Sequence, residues 1–263
     1  MVNPASRPPR HAALRGVVSW FWLSHLTGQP GAHVVLPNGR AQIVVDLHGG
    51  TALLVGPRTT SARVEISGTT AGLALTAVGL SRVVQVPAHE LVDEVVDLHD
   101  FWGGSRWLRR LEHARSAEEL LSGLERETVC HLRPAAPDPR LVAAEQAIRR
   151  GVATGSIADA VGADRRWLVP RFRQVVGVAP KHYQRILRFQ AALGGLRVAD
   201  PAQLAAIAAD AGYADQAHMS REFTEMAGIA PSRLRGAATA QINHVPLDLA
   251  GAWTGINGRG SAR

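Results

Sequence analysis

Two segments in the C-terminal half of the chain carry hydrogen-bond donors at spacings that bring them to one side of a helix. The outward-facing residues are Arg165, Arg166, Val169 and Arg173 in the first segment and Gln216, Ser220 and Arg221 in the second, and all except Val169 have donor side chains. In the major groove of DNA, Arg can bind guanine and Gln can bind adenine through paired hydrogen bonds. Recognition of bases in duplex DNA is therefore the chemistry that these side chains could perform.

The two segments belong to an internal repeat. Residues 157–180 align with residues 208–231 at a fixed offset of 51, with nine identical pairs. Each copy predicts a short alanine-rich helix, a turn near Gly162 or Gly212, and a second helix. In the second copy Met219, Phe223 and Met226 recur at helical spacing and are the predicted buried side chains. The polar residues are then left on the outward face.

The elements around the repeat follow from residue types at their ends. Asp164 and Asp215 precede the second helices, where a carboxylate accepts hydrogen bonds from free backbone N–H groups, so we expect structural roles for both. Pro180 can occupy the first turn of a long connecting helix that runs to about Leu196. If both second helices enter one face of the duplex, they must lie about one helical turn, roughly 34 Å, apart.

Residues 139–238 resemble the DNA-binding domain of the AraC/XylS family, most specifically in the segment GYADQAHMSREF that begins at Gly212. The resemblance implies two tandem helix-turn-helix units, and members of the family are usually transcription activators and less often repressors. The base-facing positions that it implies are Arg166, Val169 and Pro170 in the first unit and Gln216, Ala217, Ser220 and Arg221 in the second.

Pro170 departs from the family pattern. The matching position is commonly an arginine that reaches DNA, whereas here Arg171 lies one residue further around the helix. A proline inside a helix also removes one backbone hydrogen bond and typically costs roughly 3 kcal/mol. The first unit is therefore expected to bind DNA differently from the second, or more weakly.

Three further groups of side chains have two interpretations each. His218 is a DNA contact or a packing residue, and Lys181, Arg185 and Arg188 bind phosphates, the interpretation favoured by the local charge, or keep a helix surface solvated. Trp20, Phe21 and Trp22 are aromatic residues of the kind that more often fill a core than bind a ligand. His33 and His48 lack the His-x-His spacing and partner carboxylate of a metal site, so no metal is predicted.

The N-terminal half has a different pattern. Strands separated by turn signals are predicted at residues 33–36, 41–47, 51–55, 62–67 and 73–78. Beyond Pro87 the apolar spacing becomes helical, first over residues 91–98 and then over 107–111 and 120–124, with Ser116 as a predicted N-cap. The predicted fold class is α+β: a small β-sheet or barrel-like domain with closing helices, then an all-α domain of two helix-turn-helix units joined by a long helix.

The predicted domains are an N-terminal regulatory or sensor-like domain at 1–132, a proline-rich linker at 133–139, the DNA-binding domain at 140–238 and a flexible tail at 239–263. The segments VVLPNGRAQIVVDL and VPAHELVDEVVDLHDFWG resemble, more loosely, the sensor-like region of one AraC subgroup. The resemblance does not identify a ligand, so a small-molecule effector and a protein partner both stay open. Helices between Phe101 and Glu127 could pair two chains or pack on the sheet, so a homodimer stays open.

Charge and composition limit the classes of protein. The net charge is +7, from 29 Lys and Arg against 22 Asp and Glu, and residues 139–238 contribute +6 of it, from 14 against 8. No apolar run approaches the roughly 20 residues that cross a bilayer, and no apolar stretch follows the first basic residues, so the sequence predicts a cytoplasmic protein. Cys130 is the only cysteine, which excludes an internal disulfide.

Three functions are compatible with these features. The first is a DNA-binding transcription regulator, an activator or a repressor, without a cofactor, that responds to a ligand or partner and could contact RNA polymerase. The second is a DNA-repair methyltransferase that uses Cys130, and the third is an architectural protein that binds DNA without sequence preference. The sequence contains no Gly-x-Ser-x-Gly, phosphate-loop, His-Glu-x-x-His or dinucleotide-binding pattern, so it gives no support to catalysis.

Overall fold

The protein, here a computed structural model, is described over residues 5–104, 106–134, 136–196, 203–233 and 244–246. The strands are β1 (Ala5–Arg7), β2 (Val18–Val35), β3 (Gln42–Asp46), β4 (Thr51–Val55), β5 (Ala62–Leu75), β6 (Val95–Asp97) and β7 (His244–Pro246). The helices are α1 (His99–Trp102), α2 (Arg106–Glu112), α3 (Ala117–Cys130), α4 (Pro139–Arg149), α5 (Ile157–Ala160), α6 (Arg165–Val176), α7 (Pro180–Leu196), α8 (Leu204–Asp210) and α9 (Gln216–Ala227).

The chain divides into two compact units that do not follow the linear order of the sequence. The first unit contains residues 1–30, 39–58 and 66–184, and the second contains residues 31–38, 59–65 and 185–263. The first helix-turn-helix thus belongs to the unit that holds most of the sheet, and the second belongs to the other unit. The domain boundaries at 132 and 140 stay a prediction.

An antiparallel sheet organises the N-terminal part of the chain. Its strands follow the order β1-β2-β5-β3-β4-β6, and β7 pairs with the end of β2. Ile43 and Val45, which alternate along β3, are fully buried, because side chains two residues apart share one face of a strand. Gly72 in β5 is required where it stands, since any side chain there would collide with the ring of Trp22.

Helices α2 and α3 close the core of the first unit, as predicted. The buried side chains that they contribute are Trp107, Leu108, Leu111, Leu120, Leu121 and Leu124. Ser116 is the N-cap of α3, and its hydroxyl accepts a hydrogen bond from the backbone N–H of Glu119 at 3.1 Å. The α+β fold class is therefore confirmed, with the helices of this unit packed on the sheet residues.

The helix predicted over residues 91–98 is wrong. The chain forms a single 3-10 turn at Ala88–Glu90 and then strand β6, which pairs with β4 so that Val96 lies opposite Leu54. Asp93 has a φ of +62°, a left-handed conformation that a continuous helix does not permit. The apolar spacing is compatible with a helix or with a strand. Backbone pairing with the edge of β4 selects the strand.

Other predictions in this half needed smaller corrections. The predicted strands at 62–67 and 73–78 form the single strand β5, and β2 begins at Val18, well before residue 33. Phe21 and Trp22 lie in the core, but Trp20 is half-buried. The guanidinium carbon of Arg40 lies 4.9 Å from the centre of the Trp20 ring. The predicted flexible tail lies outside the described residues except at β7, which pairs with β2 through its backbone.

The carboxylate of Glu125 binds the N-terminal segment to α3, where Glu118 also pairs with Arg10. Glu125 accepts hydrogen bonds from the backbone N–H groups of Arg10 and His11 at 2.6 and 2.8 Å, and its other oxygen lies 2.7 Å from a guanidinium nitrogen of Arg7. Burial alone would raise the pKa of Glu125, but these hydrogen bonds and the Arg7 charge together lower the pKa. The charged carboxylate is therefore favoured by folding.

Glu125→Gln is expected to reduce stability at neutral pH and to have little effect in acid. A carboxylate whose pKa is lowered by folding stabilises the protein fully above its unfolded pKa of about 4.3. That contribution is lost as the pH falls through the lower pKa of the folded state. Thermal unfolding of both proteins from pH 6.5 to pH 3 should therefore show a difference in Tm that shrinks in acid, and a difference independent of pH would contradict the argument.

Candidate nucleic-acid interface

The first helix-turn-helix consists of α5 and α6 in the first unit. Asp164 caps α6 as predicted, with a carboxylate oxygen 2.6 Å from the backbone nitrogen of Arg166. Gly162 in the turn and Gly177 at the end of α6 both have positive φ, +62° and +97°. The buried residues of α6 are Leu168, Phe172 and Val176. The sequence-predicted DNA contacts, exposed except for the half-buried Val169, are Arg165, Arg166, Val169, Arg171 and Arg173.

Pro170 lies inside α6, and the helix continues through it. Its ring is exposed, and it has no N–H to donate to the carbonyl of Arg166 one turn earlier. The position where the family resemblance implies a base-reading arginine thus presents an apolar ring. Arg171 instead stacks toward Trp167, with its guanidinium carbon 5.1 Å from the ring centre.

The second helix-turn-helix consists of α8 and α9 in the second unit. Asp215 caps α9 by accepting a hydrogen bond from the backbone N–H of His218 at 2.6 Å, and Gly228 ends the helix in a left-handed conformation with φ +73°. Met219, Phe223 and Met226 are buried, which confirms the predicted inward face. On the outward face Gln216, Ala217 and Arg221 are exposed, and His218 and Ser220 are partly exposed.

Arg185 and Arg188 form ion pairs within the second unit, and the phosphate-binding interpretation that the sequence favoured for them stays a prediction. Glu222 of α9 is buried, and one of its oxygens lies 2.7 Å from Arg185 and 3.2 Å from Arg188 on α7. Arg185 also reaches the exposed Glu225 at 2.6 Å. Because a buried carboxylate requires charged partners, these arginines fasten α9 to α7.

His218 packs beside the same cluster. Its ring meets that of Tyr213 edge-on, with centroids 5.3 Å apart, and its Nε2 lies 3.7 Å from Glu222. The side chain keeps 33% exposure, so its position at the margin of the outward face is compatible with either predicted role. Burial, followed by the charge of Glu222, raises the pKa of Tyr213, which keeps this phenol neutral.

A second buried ionic cluster fastens α4 to the start of α7 in the first unit. Glu145 accepts a hydrogen bond from the hydroxyl of Tyr183 at 2.6 Å and pairs with Arg149. Arg149 also donates to the Tyr183 oxygen at 3.1 Å. Burial and the nearby Glu145 raise the pKa of Tyr183, so the phenol remains a hydrogen-bond donor. These hydrogen bonds and the ion pair therefore hold α4 against the start of α7.

Sequence reasoning missed two links between the sheet segments and the second helix-turn-helix. Ser61 donates its backbone N–H to the carbonyl of Met226 at 2.7 Å and its hydroxyl to the carbonyl of Ala227 at 3.2 Å, at the end of α9. The side chain of Gln190 on α7 donates to the carbonyl of Pro37. These bonds join residues more than 150 positions apart, and no local pattern could reveal them.

Lys181 and Cys130 are the remaining candidate side chains. Lys181 is exposed in the first turn of α7. Cys130 is exposed and is the last residue of α3. Within the described ranges, no group of three or more His, Cys, Asp and Glu residues could hold a metal ion, and no helix is long and apolar enough to span a bilayer.

Comparisons with solved structures find distant similarity to ToxT from Vibrio cholerae. One ToxT structure is 10% identical, covers 88% of this chain and 96% of its own, and has a TM-score of 0.41. Wild-type ToxT bound to an unsaturated fatty acid is 12% identical, covers 88% and 93%, and has a TM-score of 0.38. ToxT bound to (E)-4-(8-methylnaphthalen-1-yl)but-3-enoic acid is 10% identical, covers 88% and 96%, and has a TM-score of 0.40. No curated protein matches the chain.

Two family models match separate parts of the sequence. Residues 6–97 match a domain of unknown function, DUF6597, and residues 157–237 match a helix-turn-helix domain. The second match spans both copies of the repeat and the α7 helix between them. The chain therefore carries an AraC-type helix-turn-helix domain at residues 157–237.

Proposed function

We propose that the chain is a sequence-specific transcription regulator whose base contacts come mainly from α9. The observation that carries the proposal is the two-sided character of that helix. Its inner face is fixed in the second unit by Met219 and Phe223, while Gln216, Ser220 and Arg221 lie on the outer face. Arg and Gln are the side chains that discriminate bases by paired hydrogen bonds, so a rigid helix that presents both is suited to the major groove.

The arginines of α6 supply a different contribution. The α6 helix carries four arginines and no acidic residue, whereas α9 carries one arginine and two glutamates. The net charges are therefore +4 and −1. Cations that neutralise phosphates supply affinity with little sequence preference, and this affinity falls as salt rises. We accordingly assign Arg165, Arg166 and Arg173, with Lys181 on α7, mainly to the DNA backbone.

The N-terminal domain is proposed as the regulatory part, responsive to a small molecule or a protein partner. The hydrogen bonds of Ser61 and Gln190 provide physical connections from sheet segments to the helices of the DNA reader. A protein of this kind would act in the cytoplasm, as an activator that contacts RNA polymerase, and as a monomer or a homodimer. Thermal-shift screening for stabilising compounds, followed by DNA binding with and without each compound, tests the effector response.

Arg221→Ala is expected to weaken binding to the preferred DNA site by roughly 1–3 kcal/mol and to relax the preference at one base position. The measurement is selection of bound genomic fragments by the wild type and the variant, with dissociation constants for the enriched site and for a scrambled site. Arg126→Ala is the matched control, since Arg126 is exposed on α3 and its loss changes the net charge equally.

The outcomes separate the competing functions. A motif enriched by the wild type and altered by Arg221→Ala, but not by Arg126→Ala, supports the regulator. Equal weakening on every DNA sequence would assign Arg221 to a phosphate. A wild-type protein that binds DNA but enriches no motif would overturn sequence-specific reading in favour of the architectural function.

A further inference from the structure

We propose that Arg140, Trp167 and Arg171 form a phosphate clamp on one flank of α6, through which the first helix-turn-helix holds the backbone of double-stranded DNA. The inference rests on the proposed function and adds residues to it. Two of the three, Arg140 and Trp167, were not among the DNA contacts expected from the sequence. All three belong to the first unit, so the clamp is built within one compact body.

The three side chains form a stack. The guanidinium carbon of Arg140 lies 3.9 Å from the ring centre of Trp167, and that of Arg171 lies 5.1 Å from it. Attraction between the cations and the ring orients both arginines without neutralising their charge. A planar guanidinium held on a ring keeps N–H groups in its own plane, and this geometry suits the oxygens of a phosphate.

The stack is accessible and lies beside the base-facing side of α6. Arg171 is exposed, Trp167 is half-buried, and the side chain of Arg140 keeps 47% of its exposure. Trp167 follows Arg166 by one residue, and Arg171 follows Pro170 by one residue. A step of one residue is a rotation of about 100° around the helix. When a helix occupies the major groove, side chains on its flanks meet the sugar–phosphate walls.

The equivalent positions in the second copy show that this flank is specific to the first. At the offset of 51 residues, Trp167 corresponds to His218 and Arg171 corresponds to Glu222. In the second copy, Glu222 is buried and draws two arginines of α7 into ion pairs. In the first copy the same position carries an exposed cation, so the flank remains positively charged.

Asp138 weakens the binding of phosphate by the clamp. Its two oxygens accept hydrogen bonds from Arg140 at 3.2 and 2.8 Å, and the same carboxylate caps α4. Phosphate must compete with this carboxylate for Arg140. Asn is as good a helix N-cap as Asp, so Asp138→Asn removes the competing charge and keeps the cap.

The test is the salt dependence of DNA binding by the full chain. Dissociation constants on the enriched site and on a scrambled site are measured between 50 and 300 mM NaCl for the wild type, Arg140→Ala, Arg171→Ala, Trp167→Leu and Asp138→Asn. Arg150→Ala is the matched control, because Arg150 is an exposed arginine just after α4 and outside the stack. Circular dichroism checks that each variant is folded.

Arg140→Ala and Arg171→Ala should each weaken binding several-fold on both DNAs and reduce the slope of log K against log salt by about 0.9. Trp167→Leu should also weaken binding several-fold, although it removes no charge, because the arginines lose their platform. Asp138→Asn should tighten binding. The selected motif should be the same for all four variants.

Several results would overturn the clamp. One is that Arg140→Ala leaves the affinity for DNA and the salt slope unchanged. Another is that Arg150→Ala weakens binding as much as Arg140→Ala does. A third is that Arg171→Ala loses the preference at one base position of the motif. If Trp167→Leu fails to fold, the two arginine variants and Asp138→Asn still decide the question. A wild-type protein that binds no DNA would overturn the proposed function and the clamp together, whereas wild-type binding with unaffected arginine variants overturns the clamp alone.

Discussion

Glu222→Ala is expected to lower the free energy of unfolding of the second helix-turn-helix by on the order of 3 kcal/mol, the lower end of the range for breaking a buried ion pair. The substitution removes the carboxylate shared by Arg185 and Arg188, whose side chains retain only 24% and 26% exposure. Two guanidinium groups would then lie close together without their common partner. Because these pairs fasten α9 to α7, specific DNA binding should fall as well.

Glu225→Ala is the matched control, because Glu225 pairs with the same Arg185 but is 62% exposed. An exposed ion pair contributes at most about 1 kcal/mol. Hydrogen exchange read by mass spectrometry on peptides from α9 separates the two variants. Glu222→Ala should speed exchange there on the order of 100-fold, since each 1.4 kcal/mol is a factor of about ten, and Glu225→Ala by a factor of about five or less. Equal effects would show that burial of Glu222 does not control stability.

The faces of α9 could be predicted from the sequence because they depend on local rules. Helical periodicity identified Met219, Phe223 and Met226 as buried, and residue type identified Asp215 as the N-cap. The repeat strengthened both predictions, since Gly177 and Gly228 occupy equivalent helix ends that require positive φ. Which outward residues are exposed therefore follows from the sequence, and their contact with DNA stays a prediction.

The partners of the arginines could not be predicted, because they depend on contacts between distant residues. Arg185 has the same side chain as Arg173, but Arg185 forms an ion pair with Glu222, which lies 37 residues further along the chain. The strand β6 was missed for a related reason. Val95 and Val96 fit a helix or a strand locally, and only the free edge of β4, some 40 residues away, selects the strand.

Comparison of the two copies explains why the repeat predicts the scaffold better than the contacts. The N-cap aspartates, the glycines at the ends of α6 and α9 and one buried phenylalanine recur at the offset of 51, because both copies must fold in the same way. Other positions differ in charge and type: the exposed Pro170 corresponds to the exposed Arg221, and the exposed Arg171 corresponds to the buried Glu222. These differences agree with our proposal that the two units make different contacts with DNA.

Replacing Pro170 with arginine is expected to stabilise α6 and to add a base-reading element to the DNA motif. Removal of the proline restores an N–H to the interior of the helix and relieves the ring's clash with the preceding turn, which is worth up to about 3 kcal/mol. The new side chain would stand where the family resemblance implies a base-reading arginine. Thermal unfolding measures the first effect, and selection of bound genomic fragments measures the second.

Pro170→Ala is the control that separates these effects, since it also removes the ring but supplies no donor. Both variants should raise Tm, and only Pro170→Arg should enrich a motif with a further element about one helical turn from the wild-type element. If both variants enrich the longer motif, the proline ring itself is what keeps α6 from reading bases. If neither does, although both are stabilised, α6 does not enter the major groove, and its arginines act only on phosphates.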